Sequence, residues 1–188
     1  MNGDTPANSP LLTYYDLDHP WPEDAGYAAA MADPIVSHEI GGDIAFMCEF
    51  ARAAEGLVLD LCCGTGRLSL PIARLGRPVV GLDLSPVLLA RFAERLAAEP
   101  SDVRGRCRPV EGDACDFSLD GSFALAVVGF NSLCMLPDQQ AQRRALARVN
   151  RHLDLGARLI VDITNPLMTQ LSGTNTPQVI LSRAVPER

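Results

Sequence analysis

Two aspartates and two glycines have the types and the spacing of a nucleotide-binding site. Asp60 lies in the short apolar run 58–61, which is typical of a buried strand, and Gly64 and Gly66 follow it closely. Glycines there let the backbone turn tightly and approach a ligand. Asp83 comes at the end of a second apolar run. The pattern predicts a ligand that is held by carboxylates at the ends of two strands.

The glycine loop departs from the pattern that binds a dinucleotide. That pattern is Gly-x-Gly-x-x-Gly or Ala with the pyrophosphate on the helix N-terminus, whereas Ser69 stands at its third position here and Asp60 lies just before the turn. S-adenosylmethionine (SAM) carries no phosphate. It has a sulfonium, an ammonium group and a ribose diol that one carboxylate can hold through both hydroxyls. Two acids suit SAM, and a nicotinamide-dependent oxidoreductase is the weaker alternative.

Five segments occur in the order and spacing of one protein family. They are VLDLCCGTGRL from residue 58, VVGLDLSP from 79, EGDACDF from 111, AVVGFNSL from 126 and LDLGARLIVDI from 153. With these motifs the chain resembles a class I SAM-dependent methyltransferase, from about Leu57 to about Pro166. The resemblance implies an α/β fold with a doubly wound, mainly parallel Rossmann-like sheet. It also implies methyl transfer to a small-molecule acceptor by in-line displacement.

The resemblance further implies which residues contact the cofactor. The set is Asp60, Cys62, Gly64, Gly66, Asp83, Leu84, Asp113, Ala114 and Gly129. Asp60 and the two loop glycines would line the methionine end of SAM, Asp83 would hold the ribose hydroxyls, and Asp113 with Ala114 would contact the adenine. Cys62 replaces the first glycine of the family's Asp/Glu-x-Gly-x-Gly-x-Gly loop, and cysteine tolerates a positive φ less well than glycine.

The elements that position these residues are alternating strands and helices. We predict strands over 58–61, 78–82, 106–110, 124–130 and 157–163. We predict helices over 37–54 and 138–153, a helix after the glycine loop that ends near residue 76, and a helix that begins at residue 86. Ser85 and Pro86 predict an N-cap and a first helical residue, and Gly156 predicts a stop before the fifth strand. The alternation predicts a parallel sheet that binds ligands beyond the carboxyl ends of its strands.

Three segments divide the chain. Residues 1–36 form an N-terminal segment and predicted lid, 37–166 the SAM-binding methyltransferase domain, and 167–188 a short tail or the start of a substrate-covering region. Candidate substrate residues are Tyr14, Tyr15 and Trp21 in the lid and Asn131 after the fourth strand. The aromatic ones offer cation–π contacts to the sulfonium or to an amine. The residues do not identify a general base.

The stretch after Pro166 is short for the family. About 22 residues follow it, too few for the helix and two strands that usually end the fold, although 178–183 predicts one short strand. We therefore expect a fragment or shortened form, or a fifth strand whose exposed edge is covered by a loop or by another copy in a homo-oligomer. A SAM-binding protein without catalytic activity is a further alternative.

Composition sets the remaining expectations. The chain has 188 residues, is 47% hydrophobic and carries a formal net charge of −7, which disfavours nucleic acid and anionic membranes as partners. A small-molecule substrate is expected instead. No long apolar stretch or signal-peptide pattern is seen, so we expect a cytoplasmic protein. The six cysteines lack a Cys-x-x-Cys pairing or interleaved histidines, and they predict neither a metal site nor a disulfide framework.

Overall fold

The computed structural model describes residues 42–163 and 182–184. The strands are β1 (Val58–Leu61), β2 (Val79–Asp83), β3 (Cys107–Glu111), β4 (Phe123–Val128), β5 (Leu153–Val161) and β6 (Ser182–Ala184). The helices are α1 (Gly42–Ala53), α2 (Ser69–Arg74), α3 (Pro86–Ala98), α4 (Ser101–Arg104) and α5 (Gln139–His152), with a 3₁₀ turn at Ser132–Met135. The predicted alternation of strands and helices is confirmed in this part of the chain.

One sheet runs through the described residues, with strand order β3-β2-β1-β4-β5-β6. The first five strands are parallel, and β6 is antiparallel to β5. The strand order reverses between β1 and β4, and in such sheets the ligand crevice lies at this reversal, beyond the carboxyl ends of the strands. The predicted doubly wound, Rossmann-like fold is confirmed.

Two hydrophobic layers cover the sheet. Val58 of β1 joins the cluster that contains residues of α1, α2, α3 and α4, whereas Leu59 joins the cluster on the α5 side. All four residues of β1 are buried. Successive side chains of a strand point to opposite faces, and a central parallel strand is therefore apolar throughout unless a polar side chain has a special role. Asp60 is the polar exception in β1.

The predicted start of α3 is confirmed. Ser85 is the N-cap, its hydroxyl oxygen accepts a hydrogen bond from the Leu88 backbone nitrogen at 3.4 Å, and Pro86 is the first helical residue. This cap satisfies a backbone donor that the helix itself leaves unpaired. It also fixes the chain direction directly after Asp83.

The predicted stop at Gly156 was wrong. The strand β5 begins at Leu153 and runs through Gly156, which has a φ of 79°. The register with β4 shifts between Phe123 and Leu125, where Leu153 and Arg158 are the respective partners. Such an irregularity needs a residue that adopts a positive φ without strain, and glycine does. Gly156 thus bends the strand instead of preceding it.

The edge of β5 also differs from expectation. Arg158, Leu159 and Ile160 pair with Ala184, Arg183 and Ser182 of β6, so the alternative of a fifth strand with an exposed edge was wrong over these three residues. The predicted strand at 178–183 overlaps β6 at its last two positions, and 178–181 lie outside the described residues. Assembly of copies through this edge stays a prediction.

Several predictions fall outside the described residues. Tyr14, Tyr15 and Trp21, with the rest of the predicted lid, belong to this group, as do residues 37–41 of the first predicted helix and most of the stretch after Ile163. All six cysteines do lie within the described part, and each of them is free. No helix in that part combines the length and the apolar character needed to cross a membrane.

Candidate functional site

The loop after β1 contains three residues with a positive φ. These are Cys62 (61°), Gly64 (57°) and Gly66 (85°). Cysteine adopts this left-handed conformation at a cost of about 1–2 kcal/mol, and strained backbone of this kind is found preferentially at functional sites. The tight turn is therefore retained although cysteine replaces the family's first glycine. Burial, with a contribution from Asp83, raises the pKa of the Cys62 thiol to about 12, so the thiol stays protonated.

Gly66 is required by space as well as by conformation. A Cβ atom built on it would lie 2.4 Å from the ring of Phe92, a side chain of α3 that is fully buried. The loop therefore packs against α3 through the bare backbone of Gly66. This close approach holds the start of α2 beside β2 and α3.

Asp83 forms hydrogen bonds with the loops at the ends of β1, β2 and β3. Its Oδ2 accepts a hydrogen bond from the Gly64 backbone nitrogen at 2.8 Å, and its Oδ1 accepts one from the Ser85 backbone nitrogen at 2.9 Å. Its carbonyl oxygen accepts a hydrogen bond from the backbone nitrogen of Gly112, after β3, at 2.9 Å. A carboxylate has about four acceptor positions. The two hydrogen bonds to the side chain occupy two of them.

Asp60 lies beneath the loop. Its side chain is 1% exposed, and its Oδ2 accepts a hydrogen bond from the Ser69 hydroxyl at 2.6 Å. Burial raises the pKa of this carboxyl to about 7, the Ser69 hydrogen bond opposes the rise, and the charge of Asp83 adds to it. Asp60 therefore faces the first residue of α2, and its predicted contact with the methionine end of SAM stays a prediction.

A buried ion pair joins α1 to the glycine loop. The guanidinium of Arg67 donates to both carboxylate oxygens of Asp43, at 2.7 and 2.9 Å, and the two side chains are only 6% and 10% exposed. The Arg67 guanidinium also lies 5.1 Å from the centre of the Phe130 ring. Burial raises the pKa of Asp43 to about 6, Arg67 lowers it, and Asp162 raises it further.

The chain beyond β4 is held in an unusual conformation. Phe130 and Asn131, which follow Gly129, have φ values of 50° and 62°. Asp162, at the end of β5, accepts a hydrogen bond through its Oδ2 from the Phe130 backbone nitrogen and one through its carbonyl oxygen from the Asn131 backbone nitrogen, both at 3.1 Å. Two successive left-handed residues persist only where surrounding contacts determine them. Asp162 supplies such contacts here.

The predicted adenine residues have different exposures. Asp113 is exposed, and its Oδ1 accepts a hydrogen bond from the Cys115 backbone nitrogen at 2.7 Å. Ala114 is buried, whereas Leu84 after β2 presents an apolar side chain that is 66% exposed. The loops after β2 and β3 thus offer an apolar surface and a carboxylate beside Asp83.

The fold and these loops match one group of known proteins. The model of the family described as methyltransferase domain matches residues 58–156. The chain belongs to the class I SAM-dependent methyltransferases. The matched residues begin at β1 and include Asp60, Asp83 and Asp113.

Individual relatives support the membership. Cypemycin N-terminal methyltransferase of a Streptomyces species is 33% identical over 123 residues, which cover 65% of this chain and 47% of that protein. Demethylmenaquinone methyltransferase of Lactiplantibacillus plantarum is 35% identical over 118 residues, with 61% and 47% covered. The chain thus spans about half the length of these two curated relatives.

Solved structures are similar over the same region. The glycopeptide N-methyltransferase MtfA in complex with SAM is 38% identical, with a TM-score of 0.60 over 64% of this chain and 50% of MtfA. The methyltransferase CcbJ from Streptomyces caelestis is 29% identical, with a TM-score of 0.62 over 70% of this chain and 52% of CcbJ. The TM-scores of 0.60 and 0.62 indicate that both proteins share the fold of this domain.

The sequence predicted some of the residues that line this candidate site and not others. It anticipated the residues at the ends of β1, β2, β3 and β4. It missed Asp43, Arg67 and Asp162, and it used Ser69 only as an argument against a dinucleotide. The one signal for Arg67 was a charged residue directly after Gly66.

Proposed function

We propose that this methyltransferase domain binds SAM and transfers its methyl group to a small-molecule acceptor. The observation that carries the proposal is the position of Asp83, whose carboxylate is bonded to Gly64 and Ser85 and keeps acceptor positions for a ribose diol. The family membership of the chain supports the same cofactor, and the related MtfA was crystallised with SAM.

The donor set around Asp83 fits the parts of SAM. We assign the ribose hydroxyls to Asp83 and the methionine end to the backbone of Cys62, Gly64 and Gly66, where positive φ values open the turn. The adenine would lie against exposed Leu84 and beside the loop of Asp113 and Ala114. Gly129, at the end of β4, would border the methyl group.

Asp60 contributes from below the loop in this proposal. Its side chain is buried against Ser69, so we assign it an electrostatic role towards the cationic cofactor instead of a direct hydrogen bond. A nearby cation favours the charged form of a carboxyl. SAM binding should therefore lower the pKa of Asp60 and release a proton near neutral pH.

The mechanism depends mainly on the positioning of the acceptor. When bound, SAM supplies a methyl group on a sulfonium, which is a very good leaving group. The chain's own task is to hold the acceptor in line with that methyl, and such positioning can supply up to about 7–11 kcal/mol of the barrier. We assign the approach of the acceptor to the loop 129–131, which is held by hydrogen bonds to Asp162. A base is needed only for a hydroxyl or a protonated amine.

An amine is the acceptor to test first. MtfA is a glycopeptide N-methyltransferase, and the cypemycin enzyme is an N-terminal methyltransferase. The sequence Gly129-Phe130-Asn131-Ser132 lacks the Asn/Asp-Pro-Pro-aromatic motif of enzymes that methylate exocyclic base amines or glutamine. Small-molecule or peptide amines are therefore preferred over nucleic-acid bases.

Calorimetry and a product assay test the proposal. SAM, S-adenosylhomocysteine and NADH are titrated into the full chain, and product masses are recorded with amine, hydroxyl and carboxyl acceptors. Tight binding of the first two ligands with a methylated product supports the proposal. Binding of NADH alone would overturn it, and binding of SAM without any product would favour the non-catalytic alternative.

A further inference from the structure

A cavity lies on the α5 side of the sheet, and one of its walls includes Asp113, which follows β3. It has a volume of about 420 Å³ and lies between the chain after β3 and the outer face of α5. Its charged lining consists of Arg144, Arg148 and Arg151 from α5 with Asp113 and Asp116 from the other wall. The volume falls within the range of small-molecule sites.

The arginines share one face of the helix. Residues four and seven positions apart lie above one another on an α-helix, and Arg144, Arg148 and Arg151 have this spacing. The whole of α5 contains four arginines and no acid, although the chain carries a net charge of −7. This wall of the cavity is thus a local concentration of positive charge on an acidic protein.

The acids in the cavity leave part of this charge uncompensated. Arg148 forms an ion pair with Asp116, and the Oδ1 of Asp113 accepts a hydrogen bond from the Cys115 backbone. Burial and the charge of Asp113 raise the pKa of the Cys115 thiol, and the charge of Arg144 beside it opposes the rise. Neither Arg144 nor Arg151 forms a salt bridge with a carboxylate within residues 42–163.

We propose that this cavity binds a small anion that carries phosphate groups. A guanidinium presents its donors as a planar fork that matches two oxygens of a phosphate, and such charge-assisted bonds are about twice as strong as neutral ones. Three guanidinium groups along two turns of one helix can engage a phosphate or a diphosphate from one side. The phosphate is either inorganic or part of an organic molecule.

Titration of the full chain with three probes tests this site. Inorganic phosphate, pyrophosphate and a sugar phosphate are compared by calorimetry and thermal melting with sodium chloride at the same ionic strength. Pyrophosphate should bind and raise the melting temperature where sodium chloride does not. A sugar phosphate that binds more tightly than inorganic phosphate would identify the organic source, and the reverse order the inorganic one.

Matched variants locate the binding. Arg144→Gln and Arg151→Gln should each weaken pyrophosphate binding about tenfold, the loss of one charge-assisted contact. Arg143→Gln removes an exposed charge from the same helix outside the cavity lining and should leave the affinity unchanged. Asp116→Asn removes a competing carboxylate and should tighten binding, which damage to the fold would not do.

Two results would overturn the proposal. One is equal stabilisation by pyrophosphate and by sodium chloride at matched ionic strength. The other is an equal loss of affinity in Arg143→Gln and Arg151→Gln, because that would reduce the effect to net charge. None of the three probes contains SAM, so a chain that fails to bind SAM leaves this test intact.

Discussion

The carboxylate of Asp83 accepts the backbone N–H of Gly64 at 2.8 Å, across the carboxyl ends of β1 and β2. The residue that we assign to the ribose of SAM thus also shapes the loop that we assign to the methionine end. Removing its side chain should affect both parts of the site. Its second oxygen, bonded to Ser85, extends the effect to the start of α3.

Substitution of Asp83 should weaken SAM binding. Asp83→Ala loses charge-assisted contacts of about 1.5–3 kcal/mol, whereas Asp83→Asn keeps one acceptor oxygen for the Gly64 nitrogen and should lose less. Calorimetry with SAM and thermal melting measure the two effects separately. Glu111→Gln, at the exposed end of neighbouring β3, is the control. A folded Asp83→Ala variant with the affinity of the parent would refute the ribose assignment.

Two glycines with the same conformation should respond differently to alanine. Gly66 and Gly76 have φ values of 85° and 84°, but a Cβ on Gly66 would meet Phe92 at 2.4 Å while a Cβ on Gly76 meets nothing within 4 Å. Gly76→Ala should lower the free energy of unfolding by about 1–2 kcal/mol through backbone strain alone. Gly66→Ala should lower it clearly more. Equal losses in urea unfolding would contradict the packing described for Phe92.

The free energy of unfolding should depend on pH through Asp60. Its pKa is raised from 3.8 to about 7 in the folded chain, so the folded state binds the proton more tightly than the unfolded state. The stabilisation by this proton is fully present below about pH 4 and is lost as the pH rises through about 7, with about 1.4 kcal/mol for each unit of pKa difference. Asp43, with a pKa of about 6, acts in the same direction.

Asp60→Asn tests this dependence. Urea unfolding at pH 5.5, 7 and 8.5, values chosen around the pKa of about 7, should show a smaller loss of stability with rising pH than in the parent. Asp120→Asn changes an exposed acid and should keep the slope of the parent. An unchanged slope in Asp60→Asn would mean that Asp60 is ionised in the folded chain at neutral pH.

Breaking the Arg67–Asp43 pair from one side should be strongly destabilising. Arg67→Met leaves the carboxyl of Asp43 buried without its guanidinium, a change of about 3–5 kcal/mol for such pairs. The double variant Arg67→Met with Asp43→Leu removes both charges and should recover part of the loss. A double-mutant cycle by urea unfolding gives the coupling between the two residues.

An exposed ion pair provides the control for that cycle. Arg91 and Glu94 are paired at 3.0 Å, with side chains 42% and 57% exposed, and exposed pairs contribute about 0–1 kcal/mol. Arg91→Met should therefore change the free energy of unfolding far less than Arg67→Met. Similar changes in the free energy of unfolding at both sites would show that the burial of the Arg67 pair does not add to its contribution to stability.

The sequence by itself determined the elements that depend on short stretches of chain. The apolar run of β1 and the cap of Ser85 on Leu88 each need only neighbouring residues. Parallel strands end at one edge of a sheet, so the order of the motifs was enough to bring the loops with Asp83 and Asp113 together. The predicted fold is confirmed for this reason.

Only the tertiary structure decided which charged groups are buried and what they contact. Arg67 and Asp43 are 24 positions apart, and nothing local indicates that α1 brings them together. Asp60 has a raised pKa because α2 covers it and supplies Ser69. Gly156 lies inside β5 because pairing with β4 begins earlier, at Leu153. Burial and strand pairing depend on contacts between distant parts of the chain, and local patterns do not specify those contacts.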